Sequence, residues 1–205
     1  MLVEFPPHTW TSVHAPGGDI YNTVIDGEIS TRVENVAERH YLTGDAFVEA
    51  SGEWIAVGNP TDTDARVIAT ALLPVQAPMA VSRQGFMGVP YKEFRVGFRG
   101  LDTAASAPSP TIVQRGSTSI ELPDGPFAVV HWIIHLEPGE WTQGSVADGQ
   151  ALAVVDSGEV TELRGDQVDV FTPGQMWTNA PGVRHSEGNS GDLPADVVFS
   201  EMVPQ

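Results

Sequence analysis

Pro138-Gly139-Glu140-Trp141-Thr142 repeats Pro7-His8-Thr9-Trp10-Thr11 at a step of 131 residues, and the chain beyond keeps that step. Gly18 falls on Gly149, Val24 on Val155, and Gly27-Glu28 on Gly158-Glu159, seven identities over positions 7–31. One residue is then lost, and at a step of 130 Gly44 meets Gly174, Ala50 meets Ala180 and Gly52 meets Gly182. Gly58-Asn59, Asp62, Ala65, Val67 and Pro74 follow onto Gly188-Asn189, Asp192, Ala195, Val197 and Pro204, nine identities over positions 44–74. Average composition would give about four matches over both stretches. The residues that recur are turn glycines and apolar strand residues in the same order, as a duplicated unit requires.

The repeat sets the expected organisation: a first unit at 1–78, a connecting segment at 79–110 and a second unit at 111–205. Within each unit, Gly and Pro punctuate short runs rich in Val, Ile, Phe, Trp and Thr, such as those at 127–136, 151–156 and 197–203. Such runs with turn signals at this spacing predict an all-β sandwich or barrel. The best helical candidate, 31–41, has neither cap nor apolar stripe. Unit two has two strand-like runs before its repeat begins, at 111–122 and 127–136, where unit one has only Leu2–Phe5, aligned with Ile133–Leu136. The first sheet therefore lacks an opening strand or two. The connecting segment, particularly Tyr91–Phe98, is expected to complete it from the same chain or from a partner.

Composition narrows the function classes. The 205 residues carry 10 Lys+Arg against 27 Asp+Glu, a formal charge of −17, which disfavours a nucleic-acid partner. Arg83, Lys92, Arg95 and Arg99 are the one local exception. No apolar run is long enough to span a membrane, and the first residues lack a secretory signal, so a cytoplasmic location is expected. With no Cys there is no disulfide, thiolate ligand or Cys nucleophile. Nucleophile-elbow, P-loop, dinucleotide and His-Glu-x-x-His motifs are absent.

The pattern resembles the cupin superfamily, whose members carry two motifs, commonly G-x5-H-x-H-x3–4-E-x6-G and G-x5-P-x-G-x2-H-x3-N. Thr43-Gly44-Asp45-Ala46-Phe47-Val48 and Gly58-Asn59-Pro60 match the start and end of the second motif in unit one. Gly174, Pro181-Gly182-Val183-Arg184-His185 and Asn189 match it in unit two. The resemblance implies a bicupin: two tandem antiparallel jelly-roll β-barrels. In metal-binding cupins, two His, a Glu and the second-motif His converge on one divalent ion. Carried onto this chain, those positions become Ser12, His14, Asp19 and Ile55 in unit one, and Gln143, Ser145, Gln150 and His185 in unit two. Neither set offers more than two imidazole or carboxylate donors, whereas a transition-metal site usually takes three. No cofactor is therefore expected; a divalent metal at substoichiometric occupancy, held by His14 and Asp19 with His8 or His40, is the alternative.

His14 and Asp19 are spaced to form an imidazole–carboxylate pair, or His14 simply satisfies the turn beside it. His185 sits in an intact motif and is the expected catalytic or pocket residue. Gln143, Ser145 and Gln150, with Ser12, His14 and Asp19 in the first unit, are the expected ligand-binding groups. His131 and His135 read as packed or rim residues, Trp10 and Trp141 as core or mouth aromatics. The leading function is a bicupin that binds a small organic molecule in the C-terminal barrel, with metal-independent isomerase-, epimerase- or lyase-like proton transfer through His185. A non-catalytic ligand-binding or structural bicupin is the alternative, and a metal-dependent dioxygenase the third. A homodimer is expected, built across the 89–99 segment.

Overall fold

The computed structural model describes residues 1–82, 109–114 and 117–205. These residues form strands, turns and bends and no helix. The chain divides into two compact units, Met1–Val113 and Gln114–Gln205.

Unit one contains β1 (Leu2–Phe5), β2 (His14–Pro16), β3 (Asp19–Asp26), β4 (Glu28–Val33), β5 (Arg39–Leu42), β6 (Ala46–Glu49), β7 (Ile55–Gly58), β8 (Ala65–Leu72), β9 (Ala80–Ser82) and β10 (Thr111–Gln114). They lie in two sheets, ordered β10-β1-β8-β3-β6 and β5-β4-β7-β2-β9. Unit two contains β11 (Phe127–Leu136), β12 (Ser145–Val146), β13 (Gln150–Ser157), β14 (Val160–Arg164), β15 (Gln167–Phe171), β16 (Met176–Asn179), β17 (Arg184–Gly188) and β18 (Ala195–Pro204). Its sheets run β11-β18-β13-β16 and β12-β17-β14-β15. Each unit is a jelly-roll barrel of two antiparallel sheets closed over an apolar interior.

The duplication persists at the level of single hydrogen bonds. The Asn59 side-chain amide donates to the carbonyls of Phe5 and Thr63, and Asn189 donates to those of Leu136 and Leu193. Both asparagines are fully buried, and each ties its loop to the end of the strand that opens its barrel, β1 or β11. Trp10 bridges to Gly58 and Trp141 to Gly188. A Cβ on either glycine would collide with the indole, which explains why the Trp and Gly recur together.

One boundary differs from the sequence reading: residues 111–114, placed there in the second unit, form β10 beside β1 in the first unit's sheet. At the start of the connecting segment, β9 pairs with β2 on the other sheet. The reason is the short opening strand. β1 has four residues where its counterpart β11 has ten, so the flanks of the connecting segment supply edge strands. Tyr91–Phe98 and the 89–99 segment lie outside the described residues. Among those residues no helix is long and apolar enough to cross a membrane.

Alternation along the strands decides what faces each interior. In unit one Ile20, Asn22 and Val24 on β3, and Phe47 and Glu49 on β6, are buried; Val24 and Phe47 pack with Phe5, Ile29, Ile55, Val57, Ala65 and Val67. In unit two Ala153 and Val155 on β13, Val160 on β14, Trp177 on β16 and Val197 and Phe199 on β18 form the corresponding core. Trp132, Phe199, Trp177 and Phe171 stack in series through it, with centroid separations of 5.2, 5.9 and 4.4 Å.

Candidate functional site

Each barrel holds a polar cluster inside its apolar lining, and each cluster contains one histidine. In unit one His14 sits on β2, opposite Ile55 of β7. Its Nδ1 donates to the Ser12 carbonyl at 2.8 Å, and its Nε2 lies 2.9 Å from Glu49 Oε2. The other oxygen of Glu49 accepts from Asn22 Nδ2 at 3.1 Å. Both partners of the imidazole are acceptors, so both its nitrogens carry protons and the group is an imidazolium. Burial lowers its pKa, but the bond to Glu49, the charge of Glu49 and the Ser12 carbonyl together raise it above its ordinary 6.5. Both nitrogens of His14 and both oxygens of Glu49 are engaged, so the imidazole has no lone pair left to act as a base.

In unit two the histidine has moved across the same rung. His185 on β17 faces Ser145 of β12, just as Ile55 faces His14 in the first unit. Its Nδ1 donates to the Val183 carbonyl at 3.1 Å. A carbonyl only accepts, so Nδ1 holds a proton and Nε2 is the nitrogen turned to the interior. That nitrogen lies 3.4 Å from Ser145 Oγ and 3.5 Å from Glu187 Oε1. Glu187, two residues on along β17, shares the inward face, and Glu162 of β14 stands directly across from it. Asp169 of β15 continues the row beyond Glu162.

These carboxylates are deeply placed: Glu162 is 0% exposed and Glu187 2%. Arg164 Nε lies 2.9 Å from Glu162 Oε2 without the alignment of a hydrogen bond, while its Nη2 donates to Asp169 at 2.9 Å. Thr142 donates its hydroxyl to Glu187 Oε2 at 3.1 Å and accepts from the Glu187 backbone N–H at 2.9 Å. Burial raises the pKa of both glutamates. For Glu162, Arg164 and the nearby Asn179 amide oppose the rise; for Glu187, His185 and Thr142 do. Both Glu162 oxygens, Glu187 Oε1, both amide atoms of Asn179 and Trp177 Nε1 are buried without an aligned hydrogen-bond partner. Native proteins rarely leave such groups unmatched, because each costs about 1–3 kcal/mol.

The structure thus brings together His185 and Ser145 from the sequence reading and separates several other candidates. Asp19 has the opposite parity to the inward-facing Ile20 and Asn22, so its carboxylate accepts from the Ser51 N–H at 2.8 Å and does not pair with His14. Ser12 contributes its carbonyl to His14, and its side chain is exposed. Gln143 is exposed. Gln150 has the opposite parity to inward-facing Ala151 and turns to its own sheet, donating to the Asn179 carbonyl at 3.1 Å. His8 pairs with Asp62 and His40 with Glu28 and Ser30, each away from the His14 cluster's bonds. His131 is held down to about 4 by burial, and His135 is exposed beside Asp196.

Glu49, Asn22, Glu162, Glu187, Asn179 and Trp177 were missed. The signal for Glu187 was its period-two relation to His185; for Glu162, its period-two relation to Val160.

The donor set can be tested against a divalent metal. Among the described residues no group of three or more His, Asp or Glu is arranged to hold one. His14 has both nitrogens engaged, Ile55 is apolar, and Ser145 and Gln150 stand where charged ligands would be required. These positions do not supply the donors that a divalent metal requires.

No family model matches the chain. Nor does any curated protein sequence. Solved structures do share the fold. A Bacillus subtilis oxalate decarboxylase studied for its Mn(II) centres superposes with a TM-score of 0.60 at 12% identity, over 100% of this chain and 68% of that one. A second, describing that enzyme's substrate binding mode and reaction specificity switch, gives 0.62 at 11% identity over 100% and 68%. The likeness is one of fold, a pair of tandem jelly-roll barrels.

Proposed function

We propose that the second barrel binds a small organic molecule and exchanges a proton with it through His185, without a metal cofactor. The observation that carries this reading is the inward placement of His185 Nε2, set 3.5 Å from Glu187 among buried polar atoms that have no aligned partner in the protein. An imidazole held in place through Nδ1 is a general base at Nε2, and a carboxylate beside it stabilises the imidazolium that forms. His185 takes a proton from the bound molecule and, as the imidazolium, returns one to a neighbouring atom of it, while the Glu187 carboxylate stabilises the imidazolium. The net change is the isomerisation of a carbon acid, or the elimination of a leaving group next to it. Ser145 orients the ring, and the aromatic series Trp177-Phe171 and Trp132-Phe199 closes the apolar end against water.

Unit one takes a structural role in this scheme, since its histidine is spent on an ion pair. The test is a metabolite screen by thermal shift on the whole chain, repeated on His185→Ala. Saturable stabilisation lost in the variant supports the reading. Stabilisation retained in His185→Ala, or no stabilising compound at all, overturns it.

A further inference from the structure

The inward face of unit two has an uneven balance of hydrogen-bonding groups. Its unmatched acceptors are both oxygens of Glu162, Oε1 of Glu187 and Oδ1 of Asn179. Its unmatched donors are neutral groups, Trp177 Nε1 and Asn179 Nδ2, together with Arg164 Nε, which already stands against Glu162. The charge is uneven in the same direction. Asp169, Glu162 and Glu187 occupy one row across three neighbouring strands, and Arg164 is the cation set among them, shared between Glu162 and Asp169. Glu187 has no arginine of its own: Thr142 serves one oxygen, and the other stands 3.5 Å from His185 Nε2 without an aligned hydrogen bond.

Resting on the binding role proposed above, we infer that this pocket selects a ligand by a positively charged, donor-rich group, a primary ammonium or its like, seated between Glu162, Glu187 and the Asn179 carboxamide oxygen. An ammonium brings three N–H donors and one positive charge, which answers both imbalances at once. A carboxylate or dicarboxylate would set its charge against two buried carboxylates at low dielectric, with one already-engaged arginine to oppose them. The shared fold with a decarboxylase of oxalate therefore does not extend to an oxalate-like ligand. A neutral alcohol satisfies one acceptor at a time and leaves the charge uncompensated.

The experiment uses three isosteric probes, n-butylammonium, n-butanol and butyrate, titrated into the full chain. Binding is read by nuclear magnetic resonance at two reporters in the pocket, the Asn179 side-chain amide and the Trp177 indole N–H, assigned with Asn179→Ala and Trp177→Phe. The expected result is saturable movement of both signals by butylammonium at least tenfold more tightly than by either other probe. Glu187→Gln, which keeps an acceptor for Thr142, is expected to remove most of that preference. Because Glu162→Gln unpairs Arg164, Glu187→Gln is the deciding variant. Butyrate or butanol binding as tightly as the ammonium, or an ammonium preference unchanged in Glu187→Gln, overturns the charge selection and leaves the pocket standing. Movement of neither signal by any probe also overturns it, while the screen on His185→Ala judges the binding role separately.

Discussion

The two barrels place one imidazole on the same rung of the same sheet, but on opposite strands, and that exchange separates a finished cluster from an open one. In unit one His14 is opposite Ile55, and it meets Glu49 from the facing sheet. In unit two Ser145 is opposite His185, and the position of Glu49 is taken by Asn179. Moving the histidine to the β17 side aligns it with Glu187, where unit one has Val57, and with Glu162, where unit one has Thr31. Unit one thus has one carboxylate, one imidazolium and one amide that satisfy one another. Unit two has more charge, fewer internal partners and an imidazole whose Nε2 is turned inward. A duplicated fold leaves one copy free to specialise once the other's polar interior is saturated, because each barrel has its own core.

The largest expected effect tests that saturation. Glu49→Ala leaves a buried imidazolium and the Asn22 amide without their shared acceptor. It is expected to cost about 3 kcal/mol, read by denaturant unfolding of the whole chain and by hydrogen exchange confined to unit one. A loss below about 1 kcal/mol would show that the pair is not the neutral, closed cluster described. A second pair of variants tests where the barrels are alike. Asn59→Ala and Asn189→Ala each strip two carbonyls of a donor, one of them in a buried bond, and each is expected to cost about 2 kcal/mol in its own unit. Unequal losses would mean that the loops they tie do not carry equivalent loads.

The parts legible in the sequence follow the same division. The step of 131 and 130 residues came from turns, buried asparagines and Trp–Gly contacts, which backbone geometry imposes on both copies, so duplication and barrel architecture could be read directly. His185 was legible through its motif. The rest of the cluster was not, because Glu162 and Glu187 look like ordinary solvated acids in a chain with 27 of them. Only the parity of a strand, counted from a residue known to face inward, distinguishes a buried glutamate from a surface one. The same parity removes Asp19 and Gln150 from the site, since each is one residue off the inward set. Motif spacing placed both near the right strand but on its wrong face.

A smaller effect, opposite in sign to that of Glu49→Ala, comes from the open cluster. Burial raises the pKa of Glu187, so its ionisation opposes folding. The stability associated with its protonated form is present below the ordinary 4.5 and is lost as pH rises through the higher folded value. Glu187→Gln removes that loss while keeping an acceptor for Thr142. It is expected to raise the stability of unit two at neutral pH by about 1 kcal/mol and to leave it unchanged below the ordinary carboxylate range. A variant less stable than the parent at neutral pH would assign Glu187 to structure, alongside Glu49.

The smallest effect is a pH slope in unit one. The His14 imidazole has a folded pKa above 6.5, so the contribution of its pair with Glu49 is complete below that value in both states' terms. As pH rises through the folded pKa, the ring loses the proton shared with Glu49, and the contribution falls. Unit one is therefore expected to lose stability between mildly acidic and mildly alkaline pH, the decline starting above 6.5. Glu49→Gln keeps an oxygen for Asn22 but removes the charge that holds the imidazolium, so it is expected to flatten the slope while lowering the plateau. The measurement is urea unfolding across this pH range, with hydrogen exchange in β2 and β6 assigning the change to unit one. A decline that persists undiminished in Glu49→Gln would trace the slope to some group other than His14.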